Sequence, residues 1–333
     1  MAFTIYRSSD SGAPSFYGTT GSFIALLDSC LVNGYGSKVG AGWLKPFTNT
    51  GSAGTFPDSI GAWQQPSGSG MYLFVNDNGQ NATALYKEAW ATGWESLASL
   101  SSSVSNSIGS GSGQFPTPAQ LLTTGHVVVR KSLTNDSSSL RQWIVFADSS
   151  SFYSLIATGD TAATYYGFGF GDIYSFKGTG SSDPYRCIIM GRNGENTSAA
   201  ANDGFDFLSV LVTAVGGCFM PRSTTGIGTS ITIGKHGDGI KGSSTAFLGG
   251  IPMPNTTDNA LYLSPVWVVE NSTSVIRGQL RGFYQVLHPI ANFSDGQTFD
   301  GALDFNGKTF RVVKTTPNSA MYVIETSDTL STN

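Results

Sequence analysis

The chain has 333 residues, with 18 Lys plus Arg, 22 Asp plus Glu and a formal net charge of −4. Charged residues make up only 12% of it, against roughly 25% in an ordinary soluble domain, while aromatics reach 12% and Gly numbers 42. This excludes a disordered chain, which is rich in charge and poor in aromatics. It also excludes a nucleic-acid binder that works through a basic surplus and, since the glycines have no three-residue period, a collagen.

In chain order, the opening MAFTIYRSSD shows no charged region followed by an apolar stretch, so no secretory signal is expected. The first element is a helix over about Thr20 to Val32. There Ile24, Leu27 and Leu31 recur on one face, widened by Phe23, Leu26 and Cys30, with Thr20 or Ser22 as cap and Gly34 as terminator. Nearly everything after it reads as strand and turn. MYLFV (71–75), HVVVR (126–130), WIVFA (143–147), FYSLIA (152–157), CIIMG (187–191), LYLSPVWVVE (261–270), TFRVVK (309–314) and AMYVIE (320–325) are β-branched and aromatic runs between turn residues. WIVFA and FYSLIA are so continuously apolar that both faces are expected to be buried. The longest mostly apolar run, about Leu208 to Met220, contains two glycines and is too short for a membrane helix.

The fold class expected is mainly β with a short N-terminal helix, built as multi-stranded β-sandwich-like modules. The Ser/Gly stretch SLSSSVSNSIGSGSG (99–113) reads as a linker or long loop. It divides an N-terminal module (1–98) from a central β-rich domain (114–291). A small C-terminal β piece (292–333) follows, whose strands TFRVVKT and MYVIET are joined by a TPNSA turn. A local near-duplication, Arg277-Gly278-Gln279-Leu280-Arg281-Gly282, is too short to signal a repeat fold.

The search for chemistry assigns no catalytic, cofactor-binding or metal residue. His126 opens an apolar strand, His236 lies in the Gly-rich GKHGDG, and His288 precedes a proline; none has a second ligand at zinc spacing. Cys30, Cys187 and Cys218 are odd in number and widely spaced, which suits reduced, buried thiols. No nucleophile elbow or phosphate-binding loop is present. Asp148, Asp160 and Asp172 recur every twelve residues, and Asp203 and Asp206 are close, so carboxylate pairs for glycan hydrolysis can be written down. Asp beside Ser and Gly is also ordinary turn composition. VNDNGQN (75–81) and DGQTFDGALD (295–304) do not fit a calcium loop. Tyr166-Gly167-Phe168-Gly169-Phe170-Gly171 partly matches an RNA-binding signature but lacks its basic lead and its partner motif. The other reading puts Phe168 and Phe170 on a core face and the glycines where backbone approaches closely. The six N-x-S/T sequons, at Asn81, Asn135, Asn196, Asn255, Asn271 and Asn292, read as products of a Ser/Thr/Asn-rich composition.

Residues 4–47, TIYRSSDSGAPSFYGTTGSFIALLDSCLVNGYGSKVGAGWLKPF, resemble the N-terminal element of structural proteins of tailed-bacteriophage particles. That element has a YRS-D-GAP pattern, then an LLD-C-LVNGYG helix and AGW. RQWIVFADSSSFYSLIATGDT (141–161), YYGFGFGDIYSFK (166–177), YRCIIMGR (185–192), IRGQLRGFYQVLHP (276–289) and GKTFRVVK (307–314) are similar to the same family. The resemblance implies a non-enzymatic virion component, assembled in the host cytoplasm, with no cofactor. Its partners would be other virion proteins and its own copies, with no nucleic acid or membrane and with host surface glycan as a further partner. A tail-associated or fibre-like appendage anchored through residues 4–47 is the leading expectation. Alternatives are a capsid decoration protein and a glycan-binding or glycan-cleaving tail protein. Low charge with many aromatics suits surface that neighbours cover.

Overall fold

A computed structural model describes residues 3–48, 60–77, 87–100, 110–124, 126–132, 137–157, 165–177, 183–193, 216–228, 231–236, 261–270, 275–286, 293–314 and 321–326. The chain is mostly β and forms three antiparallel multi-stranded sheets with little helix. The first sheet runs in the order β2 (Leu44–Thr48), β3 (Ile60–Gln64), β4 (Tyr72–Asn76), β5 (Lys87–Ser99), β7 (Val127–Ser132). Beyond the end of β7, β6 (Ser110–Phe115) pairs with the second half of β5. The central sheet runs β1 (Thr4–Arg7), β8 (Trp143–Ala147), β9 (Ser151–Ala157), β10 (Tyr165–Asp172), β12 (Cys187–Asn193), β13 (Gly216–Met220). The third runs β14 (Ile231–His236), β15 (Leu263–Glu270), β16 (Val275–Val286), β19 (Met321–Glu325), β18 (Thr309–Lys314), β17 (Thr298–Asp300), and β11 (Tyr174–Ser175) joins it beside β16. At Arg192 and Asn193 β12 also touches β7, and β13 hands on to β14, so the sheets are continuous at their corners.

The central sheet is buried on both faces, as the unbroken apolarity of its strands predicts. Trp143, Val145 and Ala147 of β8 face the core shared with the first sheet. Ile144 and Phe146, the alternate residues, face the core shared with the third. In β9, Phe152 and Ile156 point one way, Tyr153 and Leu155 the other. Polar-out alternation is absent from β8 and β9 because neither face of these strands meets water.

The helix forms where its periodicity places it, as α1 (Ser22–Leu27) running on into a π-helical turn, Asp28–Asn33. Its apolar face does not project. Phe23, Leu26, Leu27, Cys30 and Leu31 are fully buried between the first and central sheets, together with Phe16 and Trp43. Each such side chain contributes about 1.5–3 kcal/mol through burial. Neither Thr20 nor Ser22 caps it. The Phe23 amide instead donates to Asp77 Oδ2 at 2.8 Å, just past the end of β4. Asp77 is itself paired with Lys131 at 2.6 Å. Gly34 ends the helical run as expected, at φ 76°, against the Lys38 carbonyl where a Cβ has no room.

Two boundaries read from the sequence differ from what the fold shows. Residues 110–113 of the Ser/Gly stretch belong to β6, hydrogen-bonded back onto β5. Lys87–Ala91 pairs with Val127–Ser132 across it, and one core holds residues from both sides. The stretch therefore does not separate 1–98 from 114–291. Small polar side chains suit an exposed strand edge as well as a linker, and composition does not tell the two apart. Likewise, the strand pair read at 309–314 and 320–325 forms, as β18 and β19, yet β19 pairs with β16, so strands β17 to β19 belong to the third sheet.

Candidate functional site

The fold brings together two acids that the sequence singles out. Asp148 sits in the β8–β9 turn and Asp172 at the end of β10, and both line a cleft of about 270 Å³ with Ser67, Tyr174, Arg186 and Arg281. Asp148 Oδ1 accepts the Ser150 and Ser151 amides, each at 2.8 Å, which fixes the turn. Its Oδ2 meets Arg281 Nη2 at 2.9 Å. Asp172 Oδ2 takes Arg186 Nε at 2.6 Å and the Ser69 amide at 2.9 Å. Its Oδ1 takes Gln65 Nε2 at 3.1 Å, and the same Gln65 amide group reaches the Ser150 carbonyl. The turn after β3, the β8–β9 turn, the end of β10 and β16 are thus tied through two carboxylates.

Glycoside hydrolysis needs one carboxyl that holds a proton and a second poised over the sugar. Here both acids are 4% exposed and face arginines and several N–H or hydroxyl donors. Each carboxylate is thereby held to an arginine and to a turn. Asp160, Asp203, Asp206 and His288 lie outside the described residues.

Arg281 reaches the cleft because β16 bulges. Between the pairs Pro265–Tyr284 and Trp267–Gln279, the two strands advance by unequal numbers of residues, and Gly282 takes φ 63°. The other arginine of the near-duplication, Arg277, is fully buried four residues away. It bonds Asp183 through Nε at 2.9 Å and Nη2 at 2.8 Å, and Glu270 through Nη1 at 2.8 Å. Burial alone would raise the Asp183 carboxyl. The Arg277 guanidinium, together with the Ser175 hydroxyl at 2.6 Å, outweighs it and holds the group below the usual carboxylate range. The short motif therefore marks two internal ion-pair sites. Its signal lay in Arg recurring at even spacing within an apolar strand, where a charge needs a buried partner.

The adjacent basic pair Arg130-Lys131 is also internal. Arg130 meets Glu88 at 2.9 Å and Lys131 meets Asp77, all four side chains at most 2% exposed. Burial pushes the Asp77 carboxyl up, opposed by the Lys131 charge and the helix amides.

Phe168 and Phe170 of the RNA-like motif point into the core, 1% exposed, where no base can stack on them. A Cβ on Gly169 would lie 2.9 Å from both Met190 Cε and Tyr153 Cδ1, which is the close approach the glycines serve. His126 is buried and stacked on Trp90 at 4.3 Å. His236 belongs to β14, opposite Trp267, and not to a loop. All three cysteines are free and buried, and burial pushes the Cys30 and Cys187 thiols up.

Among the described residues no three His, Cys, Asp or Glu side chains form a group that could hold a metal, and no helix is long and apolar enough to cross a membrane. All six sequon asparagines fall outside the described residues. Among the described residues large exposed aromatics are few. Phe176 is 46% exposed, beside half-buried Trp267 at 5.7 Å, and Tyr262 is 40% exposed. No protein-family model matches the chain, and no curated protein matches it.

Proposed function

We propose that the chain is a non-enzymatic structural component of a tailed-bacteriophage virion, tail-associated or fibre-like. The sequence resemblance supplies the virion. The observation that carries the non-enzymatic part is the fate of the charges. The acids best placed for chemistry, Asp148 and Asp172, are committed to Arg281 and Arg186 and tie turns together. Asp77, Glu88, Asp183 and Glu270 are likewise spent on buried cations. A body cross-linked this way is a scaffold that spends charge on holding itself together.

The N-terminal element enters this reading in a modified form. Its apolar face is core, so attachment through residues 4–47 would use their exposed flank, where Val39 is 81% and Leu44 52% exposed. Removing the whole element would unfold the protein and say nothing of attachment.

Quantitative mass spectrometry of purified particles tests the proposal. About six to a few dozen copies per particle is the expected result for a tail position. Hundreds of copies would place the chain on the capsid as a decoration protein. Its absence from particles would overturn the virion reading.

A further inference from the structure

A second polar cleft, of about 440 Å³, opens where the edge of the central sheet meets the third sheet. Arg7 at the end of β1, Arg141 just before β8 and Arg311 of β18 line it, with Ser8, Tyr165 and Leu140. No carboxylate is among the lining residues. Asp295 is exposed and acts on Arg311 through its charge, but it does not line the cleft. Arg7 Nε and Arg311 Nε are both buried and find no acceptor in the protein. Arg311 Nη1 has one, the Gly296 carbonyl at 3.2 Å. The Arg311 guanidinium is pushed down by burial and further by the Arg7 charge, so two like charges are held close here.

We propose that this cleft binds a small organic oxyanion, a molecule of about monosaccharide size carrying one carboxylate, sulfate or phosphate group, held by Arg7 and Arg311. A guanidinium presents a planar fork of N–H donors that fits such groups, and no carboxylate lines the cleft to occupy it. The volume lies within the range of small-molecule sites, roughly 300–1,000 Å³. Leu140, 65% exposed, and Tyr165 give the cleft an apolar side on which a carbon skeleton can rest. The inference does not depend on the virion reading.

Calorimetric titration of the full chain with glucuronate and with glucose 6-phosphate tests it, with glucose as the neutral control. Saturable binding of at least one acid is expected, weakened about tenfold or more in Arg7→Gln and in Arg311→Gln, with glucose silent. The stronger of the two acids identifies the carboxylate or the phosphate as the group recognised. Arg311→Lys, which keeps the charge and loses the fork, should bind with intermediate affinity and serves if Arg311→Gln fails to fold. The proposal is overturned if neither acid binds at about 10 mM, if glucose binds as well as the acids, or if the variants bind like the wild type.

Discussion

Strands β8 and β10 run between two polar clefts of opposite character. At one end Asp148 and Asp172 each face an arginine and several further donors, and charge is balanced within the cleft. At the other end, marked by Trp143 and Tyr165, arginines gather with no acid among the residues that line the space. By residue type the first cleft resembles a hydrolytic site, since it holds the two carboxylates. By bonding it is scaffold, because each carboxylate is already paired with an arginine. The second holds no residue type that suggests catalysis, yet its donors are left over. A polar cluster is thus better read from its balance of donors and acceptors than from the side chains it contains.

The comparison breaks most visibly if matched charges prove dispensable. Arg277→Met leaves Asp183 and Glu270 facing each other without a cation, and the expected loss is about 3–5 kcal/mol in denaturant unfolding. A loss below about 1 kcal/mol would mean that the buried pairs hold little together.

A smaller effect is expected with pH. Asp183 has a folded pKa below its unfolded value, so its contribution is present above about pH 4 and fades as pH falls through the lower folded value. Unfolding followed from pH 6 to pH 2 should show an acid limb that Asp183→Asn makes shallower. An unchanged slope would remove Asp183 from the account.

The smallest signal concerns the thiols. Cys30, Cys187 and Cys218 are 0% exposed, so the native protein should not react with a thiol reagent at pH 8, while the unfolded chain should react at all three. Reaction of one thiol in the native state would show that the cores open locally.

How much of this was legible follows from what each signal depends on. WIVFA and TFRVVK appear as strands with the bounds read from sequence, because runs of β-branched and aromatic residues are a local property. The 13-residue β5, KEAWATGWESLAS, was missed: Ala, Gly and Glu dilute the pattern, and its strand state comes from pairing with β4, β6 and β7. The helix cap was missed for a similar reason, since Asp77 reaches Phe23 from 54 residues away. The acids of the first cleft were legible as a rhythm of Asp in turns. Their neutralisation was not, because Arg281 arrives through a bulge in a strand more than a hundred residues later. The second cleft left no trace at all, since Arg7, Arg141 and Arg311 are far apart in sequence and only the packing of sheet edges assembles them.

The most direct test applies one substitution at both ends. Arg281→Gln removes the cation from a carboxylate that is 2% exposed, and the account predicts a loss of about 1–3 kcal/mol in denaturant unfolding without added anion. Arg311→Gln relieves like-charge crowding with Arg7, and the account predicts stability equal to or above that of the wild type. If Arg311→Gln destabilised the protein as much as Arg281→Gln, the contrast between a balanced scaffold cleft and an unbalanced binding cleft would be contradicted.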